Sequence, residues 1–261
     1  KLFNKKIIVR SNSSPSGWTR NIFKNYIYSY FIKKSDKLIV NSHAFKKEMK
    51  KFFNVNSLTI YNPLNIDEII KNSKEKIDKK FYKKKYINII NVGRLTDQKD
   101  QLTLLKAIKI IPKNIKINLL IIGYGRNKNN LISFIKKNKM RNKVNLINEI
   151  NNPYKFISKF DLFILTSKYE GLPNVLLESL ALKTPIISTN CPTGPSEILK
   201  YNKFGTLFNV GDHIALSNLI LRYKNKRKIF INKANLGYKS LYRFDYNQNC
   251  LKYYNEIKKL N

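Results

Sequence analysis

Residues that often mark a metal site or a disulfide framework are scarce in this sequence. Its 261 residues include two cysteines, Cys191 and Cys250, and two histidines, His43 and His213. Two distant cysteines form neither a disulfide framework nor a zinc-binding spacing, and they suit a reducing cytosol. Both histidines stand apart from any cysteine or carboxylate pattern, so we expect them on the surface or in turns. The sequence therefore predicts no bound metal.

Long hydrophobic runs are also missing. No apolar segment approaches the roughly 18 residues that a membrane-spanning helix needs, and no signal peptide is visible. At the same time 43% of the residues are hydrophobic, which is enough for the core of one large or two modest domains. We therefore expect a cytoplasmic protein whose basic surface is suited to peripheral contact with an anionic membrane.

Acidic residues are few. The chain has 16 Asp and Glu against 51 Lys and Arg, a formal charge of +35. One interpretation is an anionic partner, such as nucleic acid, an acidic membrane or a phosphate-rich substrate. The other is composition alone, because lysine, asparagine and isoleucine are all abundant and the lysines spread over nearly the whole chain. A nucleic-acid-binding protein should show basic and aromatic residues clustered in a recognised reading module, and none is found.

The first 65 residues alternate between short apolar strands and helical patterns. A charged segment without a strong core pattern, residues 66–85, follows them and is predicted to be a linker. We therefore interpret residues 1–65 as belonging to a separate domain. Its predicted elements are a strand over 5–10, a loop over 11–17, a helix to about 34, a strand over 36–42, a helix over 43–53 and a strand over 57–63.

A regular alternation begins at residue 86 and continues to about residue 240. Each strand is a continuous apolar run followed by a helix, which is typical of a parallel sheet covered on both faces. We predict one doubly wound α/β domain over 86–240, in which ligands bind outside the carboxyl ends of the strands. The predicted strands are 86–93, 117–123, 144–148, 161–167, 184–189 and 205–209, and the predicted helices are about 100–111, 128–138, 152–160, 174–182, 195–200 and 213–224.

The loop after the first of these strands reads GRLTDQKD, residues 93–100. Gly93 allows a tight turn, and Arg94 and Lys99 are cations that can reach the same crevice. A diphosphate is bound well by such a pair, because Arg is a planar fork and Lys a point charge. The alternative is that both are ordinary solvated cations in a chain rich in them.

The loop after the next strand, IIGYGRNKNN over residues 121–130, carries Gly123 and Gly125. The third glycine of a dinucleotide fingerprint is missing, since position 128 is Lys, and no acidic residue follows at the expected distance. A nicotinamide or flavin cofactor is therefore not expected, and the glycines alternatively serve only the turn. No cofactor is predicted.

The most informative stretch is SKYEGLPNVLLESLA, residues 167–181. Gly171 permits close approach of a ligand, and Pro173 suits the first turn of a helix. The exposed N–H groups of residues 174–176 then point into the crevice and can hold an anion or a hydroxyl group.

Two carboxylates flank this helix start. Glu170 lies on the loop before it, while Asn174 and Glu178 are one helical turn apart and share a face. Two fixed acceptors at the mouth of one crevice suit a polyol, whose hydroxyls donate hydrogen bonds. The alternative is structural: Glu170 interacts with the helix dipole, and Glu178 pairs with a lysine.

A fourth loop, NCPTGPSEIL over residues 190–199, leads into a short helix. Its side chains could line the same crevice, with Glu197 capping or binding, but turn chemistry alone proves nothing. The residues in question are Thr193, Gly194, Pro195 and Ser196.

Taken in order, these motifs resemble a known family. The stretches VGRLTDQKD, LLIIGYG and DLFILTSKYEGLPNVLLESLALKTPIISTNCPTGPSEIL look like the C-terminal half of a GT-B retaining glycosyltransferase of family 4. The resemblance covers about residues 36–255, and its most specific part is the E-x7-E segment at 170–178.

The resemblance implies two facing Rossmann-like domains with a nucleotide-sugar in the cleft and no metal. Arg94 and Lys99 would hold the donor diphosphate, Glu170 would hydrogen-bond the donor sugar, and Glu178 would bind the ribose. The remaining donor-binding positions that it implies are Gly93, Gly123, Gly171, Leu172, Pro173, Asn174, Val175, Thr193 and Gly194.

The TGPSEIL variant of the fourth loop resembles the bacterial branch that builds lipopolysaccharide cores, capsules or polyprenyl-linked glycans. It implies a UDP-N-acetylhexosamine or UDP-hexose donor and a lipid-linked or surface-glycan acceptor. Residues 1–65 would be the end of the acceptor-side domain, and 241–261 a helix crossing back onto it. The family's N-terminal glycine-rich loop has no counterpart here, so a donor-binding fragment without activity is the alternative.

Overall fold

A computed structural model describes residues 5–12, 15 and 22–260 and shows two α/β units. The first, called here the N-terminal unit, has a three-stranded parallel sheet in the order β1-β2-β3. Most of the predicted loop over 11–17, and the residues just after it, lie outside the described residues. The elements of this unit are β1 (Ile8–Ser11), α1 (Ile22–Lys34), β2 (Lys37–Val40), α2 (His43–Phe53) and β3 (Leu58–Thr59).

Helix α2 shows how the sequence specifies this unit. Ser42 caps the helix by accepting a hydrogen bond from the N–H of Phe45. Phe45, Met49 and Phe53 recur on one face and are buried, while lysines occupy the other. The helix ends at Asn54, which adopts the left-handed conformation that commonly stops a helix.

The second, C-terminal unit begins at α3 and contains a six-stranded, wholly parallel sheet. Its strands are β4 (Ile87–Val92), β5 (Ile117–Ile122), β6 (Val144–Ile147), β7 (Leu162–Leu165), β8 (Ile186–Thr189) and β9 (Thr206–Phe208). Its helices are α3 (Ile66–Ser73), α4 (Gln101–Ile110), α5 (Lys128–Lys137), α6 (Tyr154–Ile157), α7 (Asn174–Ala181), α8 (Pro195–Ile198), α9 (His213–Asn225), α10 (Arg227–Lys239) and α11 (Tyr246–Lys258).

The strand order β6-β5-β4-β7-β8-β9 confirms the predicted doubly wound sheet. The chain moves outward from β4 through β5 and β6 and then returns to the other side of β4 to form β7. The order therefore reverses between β4 and β7, and the crevice outside their carboxyl ends is where such sheets bind ligands.

Both faces of this sheet are buried. Alternate residues of the central strands point to opposite sides, so that Ile89 and Ile164 join one apolar cluster while Ile90 and Phe163 join the other. Helices α4 and α9 cover the first face, and α6 and α7 cover the second. This double burial is why the strands read as continuous apolar runs.

The predicted linker over 66–85 is not a free connection. It contains α3, whose Ile69 is buried in the cluster that also holds α6 and α7. The sequence pattern missed this packing because α3 buries only one narrow stripe among charged residues. The strand predicted over 57–63 is shorter in the structure, because only Leu58–Thr59 pair with β2.

The end of the chain returns to the N-terminal unit. A short 3-10 segment, Leu241–Phe244, is followed by α11, in which Tyr253 accepts a hydrogen bond from Arg10 and Glu256 forms an ion pair with Lys37. None of the helices in the described part of the chain is long and apolar enough to span a membrane.

Candidate functional site

The loops that follow β4 and β5 pack directly on each other. The N–H of Leu95 donates to the carbonyl of Tyr124, 2.8 Å away. A Cβ at Gly123 would lie 2.0 Å from the carbonyl oxygen of Gly93, and one at Gly125 would lie 2.4 Å from that of Leu95. Only glycine fits at either position, so in this structure the turn at 123–125 supports the shape of the loop at 93–100.

Lys99 and Glu170 connect the loops after β4 and β7, at the switch point of the sheet, where the strand order reverses. The ammonium of Lys99, carried by the loop after β4, lies 2.6 Å from Oε1 of Glu170, carried by the loop after β7. The hydroxyl of Ser167 donates to the same oxygen at 2.6 Å. Glu170 is only 6% exposed, so this cation and this hydroxyl stabilise a charge that would otherwise be costly to bury.

Arg94 lies on the same loop as Lys99 but in a different environment. Its side chain is exposed, and it makes no hydrogen bond or ion pair with the described part of the chain. Its planar guanidinium therefore keeps all of its donors for an anion in solution.

The fourth loop is pressed against Glu170 and Gly171. The hydroxyl of Thr193 donates to the carbonyl of Glu170, and Thr193 and Gly194 both adopt positive φ angles, 58° and 70°. A Cβ at Gly194 would lie 2.5 Å from the carbonyl oxygen of Gly171. Glycine at 194 is thus required both by backbone conformation and by this close approach.

Helix α7 begins directly after Pro173, which precedes the helix rather than lying within its first turn as predicted. No side chain caps this helix start in the described structure. Asn174 instead accepts a hydrogen bond from the amide of Asn62 at 2.6 Å, a contact between the two units. The N–H groups at the helix start remain suited to an anion or a hydroxyl.

Among the described residues, Glu178 is a carboxyl group without a cation beside it. Burial raises its pKa from 4.5 to about 7, and a hydrogen bond from the hydroxyl of Tyr154 acts in the opposite direction. Burial and the neighbouring Glu178 charge in turn raise the pKa of Tyr154 to about 12. The alternative that Glu178 pairs with a lysine is not what the described residues show, because no ion pair involves it there.

The N-terminal unit approaches the loop at 170–175. A Cβ at Gly171 would lie 2.0 Å from the carbonyl oxygen of Asn12 and 3.2 Å from the amide nitrogen of Asn41. Asn62, which contacts Asn174, also accepts a hydrogen bond from Arg10 at 2.8 Å. The candidate sugar loop is therefore covered by residues at or beyond the carboxyl ends of β1, β2 and β3.

The structure adds four residues that the sequence pattern did not single out for this site. Ser167 and Asn41 lie just after buried strands, which is a position that could have drawn attention to them. Asn62 lies beyond β3, near the end of the strand predicted over 57–63, whereas Tyr154 gave no such signal. Nearby, a cavity of about 460 Å³ has Asp97, Asp100, Gln101 and Lys168 in its lining, but not Arg94, Lys99 or Glu170.

A comparison with protein families decides what kind of chain this is. Residues 72–239 match the family described as glycosyl transferases group 1. The chain belongs to this family. Among the described residues of this glycosyltransferase, no three His, Cys, Asp or Glu side chains group together as metal ligands would.

Relatives of this glycosyltransferase are longer than the chain. An uncharacterised glycosyltransferase of Methanocaldococcus jannaschii is 35% identical over 217 residues, which are 76% of this chain and 53% of the relative. An N-acetylgalactosaminyltransferase of Campylobacter jejuni, named for an undecaprenol-diphosphate-linked acceptor, is 27% identical over 259 residues, or 95% of this chain and 69% of the relative. The chain thus spans about half the length of the first relative.

Solved structures confirm the predicted GT-B fold. Anabaena HepE, crystallised with UDP, matches with a TM-score of 0.85 and 16% identity over 99% of this chain and 74% of that protein. Staphylococcus aureus TarM, also crystallised with UDP, matches with a TM-score of 0.80 and 19% identity over 97% and 52%. The glycosyltransferase therefore has the α/β architecture with two parallel sheets that the resemblance implied.

Proposed function

We propose that this glycosyltransferase binds a nucleotide-sugar between the loop at 93–100 and the loop at 167–175. We propose further that, in the whole protein, it transfers the sugar with retention of anomeric configuration, as a family 4 enzyme. The observation that carries the proposal is the Lys99–Glu170 pair, because it joins a phosphate-binding cation to a sugar-binding carboxylate at the switch point of the sheet.

Arg94 and Lys99 are assigned to the donor diphosphate. Arg94 is exposed and unpaired among the described residues, while Lys99 is held in place by Glu170 and retains further N–H groups. As the bond between sugar and phosphate breaks, negative charge grows on the leaving diphosphate. Two pre-placed cations, together with the N–H groups at the start of α7, would stabilise that charge without a metal.

Glu170 and the backbone of Gly171–Val175 are assigned to the donor sugar. Glu170 Oε1 is occupied by Lys99 and Ser167, which leaves Oε2 as an acceptor for a sugar hydroxyl. Thr193 and Gly194 contact the backbone of Glu170 and Gly171 and so hold this loop in place. Rigid placement of this kind positions the anomeric carbon, and positioning supplies a large share of the rate.

Glu178 is assigned to the ribose. Its side chain is half-buried, has no cation among the described residues, and holds a hydrogen bond from Tyr154 that leaves other acceptor sites open. Ribose hydroxyls are donors that would satisfy an ionised carboxylate and so repay part of its cost of burial.

The donor and the acceptor are proposed from the relatives. The Campylobacter relative is named for an undecaprenol-diphosphate-linked glycan, an Escherichia coli relative for O-antigen biosynthesis, and HepE was crystallised with UDP. We propose a UDP-hexose or UDP-N-acetylhexosamine donor and a lipid-linked or surface-glycan acceptor. Family membership favours this function over binding of nucleic acid. A donor-binding chain without activity remains the alternative.

A site of action on the inner face of an anionic membrane is also proposed. The chain carries a charge of +35, and α1 exposes aromatic rings next to Lys33 and Lys34. Aromatic rings insert at the headgroup level, and each nearby lysine adds roughly 1 kcal/mol of attraction to anionic lipid. The rings are Phe23, Tyr26, Tyr28, Tyr30 and Phe31, which are 49–74% exposed.

A panel of nucleotide-sugars tests the proposed function. The chain is titrated with UDP, GDP and ADP by calorimetry, and the complete gene product is incubated with the matching sugar nucleotides while donor hydrolysis and the product anomer are scored. We expect UDP to bind most tightly and the anomer to be retained. UDP binding without turnover would leave only the donor-binding alternative, and binding of none of the three would refute the proposal.

A further inference from the structure

A carboxylate of the C-terminal unit completes the start of a helix in the N-terminal unit. Oε1 of Glu197 accepts the N–H of His43 and Oε2 accepts the N–H of Ala44, both at 3.0 Å. The hydroxyl of Tyr61, just after β3, donates to Oε1 at 2.6 Å. Three donors of the N-terminal unit thus converge on one side chain of the other unit.

The chemistry of this contact is that of an anion at a helix start. Ser42 satisfies the third N–H of α2, that of Phe45, and Glu197 satisfies the first two. An anion at this position is favoured both by the free N–H groups and by the helix dipole. Because Glu197 comes from α8 of the other unit, the cap of α2 is complete only when the two units are in contact.

Helix α8 is itself held firmly. Arg243, in the segment that leads back to the N-terminal unit, donates to the carbonyls of Glu197 and Ile198 at 3.3 and 3.2 Å. Its guanidinium also lies over the ring of Phe244, which in turn contacts the ring of Tyr61. Arg243 therefore holds the backbone at Glu197 while the carboxylate of Glu197 contacts α2.

The loop that precedes α8, residues 190–194, contacts the candidate sugar site. Thr193 donates to the carbonyl of Glu170, and the backbone of Gly194 lies against that of Gly171. Residues 193–197 thus connect the donor-sugar loop to the first turn of α2. A shift of α2 relative to this loop would have to break the Glu197 contacts.

The contact is suited to being made and broken. Among the described residues, the apolar cluster built on β2 and α2 is separate from the two clusters that cover the six-stranded sheet. Polar contacts of this kind between units resemble transient interfaces, in which relative motion is expected. If the units separate, the N–H groups of His43 and Ala44 pass to water, and the apolar contact that is lost there is the packing of the Tyr61 ring against Phe244.

We propose that Glu197 is a positioning residue that holds the N-terminal unit closed over the donor site, with Tyr61 as its partner. This proposal rests on the proposed function, because the closed arrangement matters for transfer to an acceptor rather than for holding the nucleotide. Loss of Glu197 should therefore lower turnover while UDP affinity changes little.

Hydrogen exchange tests the contact without reference to activity. Amide exchange of the segment 43–48 is compared among wild type, Glu197→Ala and Tyr61→Phe, with Glu149→Ala and Tyr242→Phe as controls on an exposed glutamate and an exposed tyrosine. Hydrogen bonds to a charged group should make exchange at His43 and Ala44 at least about tenfold faster in Glu197→Ala. We expect a smaller change in Tyr61→Phe and none in the controls. Unchanged exchange in Glu197→Ala would overturn the proposal.

Kinetics of the complete protein then separate positioning from mere stabilisation. For Glu197→Ala we expect the UDP dissociation constant to stay within about twofold and turnover to fall about tenfold or more, with Tyr61→Phe between it and wild type. Faster exchange with unchanged turnover, or an equal loss of UDP affinity and turnover, would overturn the positioning role. If wild type binds no UDP, the proposed function fails. The hydrogen-exchange result alone then shows whether Glu197 holds the two units together.

Discussion

The ammonium of Lys99 and the carboxylate of Glu170, 71 residues apart in the chain, lie 2.6 Å apart at the point where the strand order of the large sheet reverses. The contact joins the loop after β4 to the loop after β7. Each partner is largely buried, so each depends on the other for its charge to be tolerated. In the proposed site the pair also orders both loops before the donor arrives.

Removing Lys99 should therefore affect both binding and stability. In Lys99→Met, Glu170 loses its cation and the donor loses a charge-assisted contact worth about 1.5–3 kcal/mol, so UDP affinity should fall about 10–100-fold and the melting temperature should drop. Calorimetry and thermal unfolding measure the two effects. The double variant Lys99→Met/Glu170→Gln should be more stable than Lys99→Met alone. Strictly additive losses would show that the two side chains are not coupled.

Glu178 should make stability depend on pH. Its folded pKa of about 7 lies above the ordinary value of 4.5, so the folded chain keeps a proton that the unfolded chain has lost between these pH values. The stability from this group is full below about pH 4.5 and is lost as pH rises through 7, a change of about 3 kcal/mol. Glu178→Gln should remove this slope, as urea unfolding at pH 5 and pH 8 would measure. Parallel pH profiles for the two proteins would contradict the assignment.

The same carboxyl should couple UDP binding to a proton. Ribose hydroxyls favour the ionised form, so UDP affinity of wild type should rise between pH 6 and pH 8 more than that of Glu178→Gln. The pH dependence that comes from protonation of UDP itself is the same for both proteins. The difference between wild type and Glu178→Gln therefore reports the proton on Glu178. Calorimetry in buffers of different ionisation enthalpy would count the proton. An equal count for both proteins would remove the ribose role.

Gly171 should tolerate no side chain. A Cβ there would lie 2.0 Å from the backbone oxygen of Asn12, whereas a Cβ at Gly93 would meet only the flexible side chain of Lys99 at 3.7 Å. Gly171→Ala should therefore push the N-terminal unit away from the sugar loop, lower the melting temperature by several degrees and reduce turnover. Gly93→Ala is the control for stability, measured by the same thermal scan. Equal melting temperatures for the two variants would mean that the units do not meet at Gly171.

Helix α1 should determine attachment to lipid. Replacing Tyr26 and Phe31 by Ser removes two exposed rings, and sedimentation with vesicles of mixed neutral and anionic lipid should show at least a tenfold weaker association, since each inserted ring contributes about 1.5–3 kcal/mol. Tyr201→Ser, which changes an exposed ring elsewhere, is the control. Equal binding of all variants to anionic vesicles would assign attachment to charge alone.

Much of the fold could be predicted from the sequence, because a parallel sheet buried on both faces leaves continuous apolar runs. The strand INLLII, for example, is buried along its whole length as β5. Helix α3 was not predicted as part of the core, because its apolar stripe, Ile66, Ile69 and Ile70, is only one turn long and lies among charged residues. Helix α10 was not predicted either, because its buried stripe, Phe230, Ala234 and Gly237, contains one large apolar residue and two small ones.

The loops of the candidate site could be located from the sequence, but their contacts could not. Arg94, Lys99 and Glu170 lie on loops that follow strands, and Glu178 lies one turn into α7; sequence patterns identify both kinds of position. Within the described part of the chain Glu170 has a cation beside it and Glu178 has none, and this difference depends on distances between loops far apart in the chain. The contact of Glu197 with α2 is of the same kind, since no local pattern connects position 197 to position 43.

Titration of UDP into matched arginine variants tests the central claim most directly. Arg94 follows β4 at the carboxyl edge of the sheet, while Arg141, which is also exposed, precedes β6 at the opposite edge. If the donor diphosphate lies between the loops after β4 and β7, Arg94→Ala should weaken UDP binding about 10–100-fold and Arg141→Ala should leave it unchanged. Equal UDP affinity of wild type and both variants would contradict the proposed donor site.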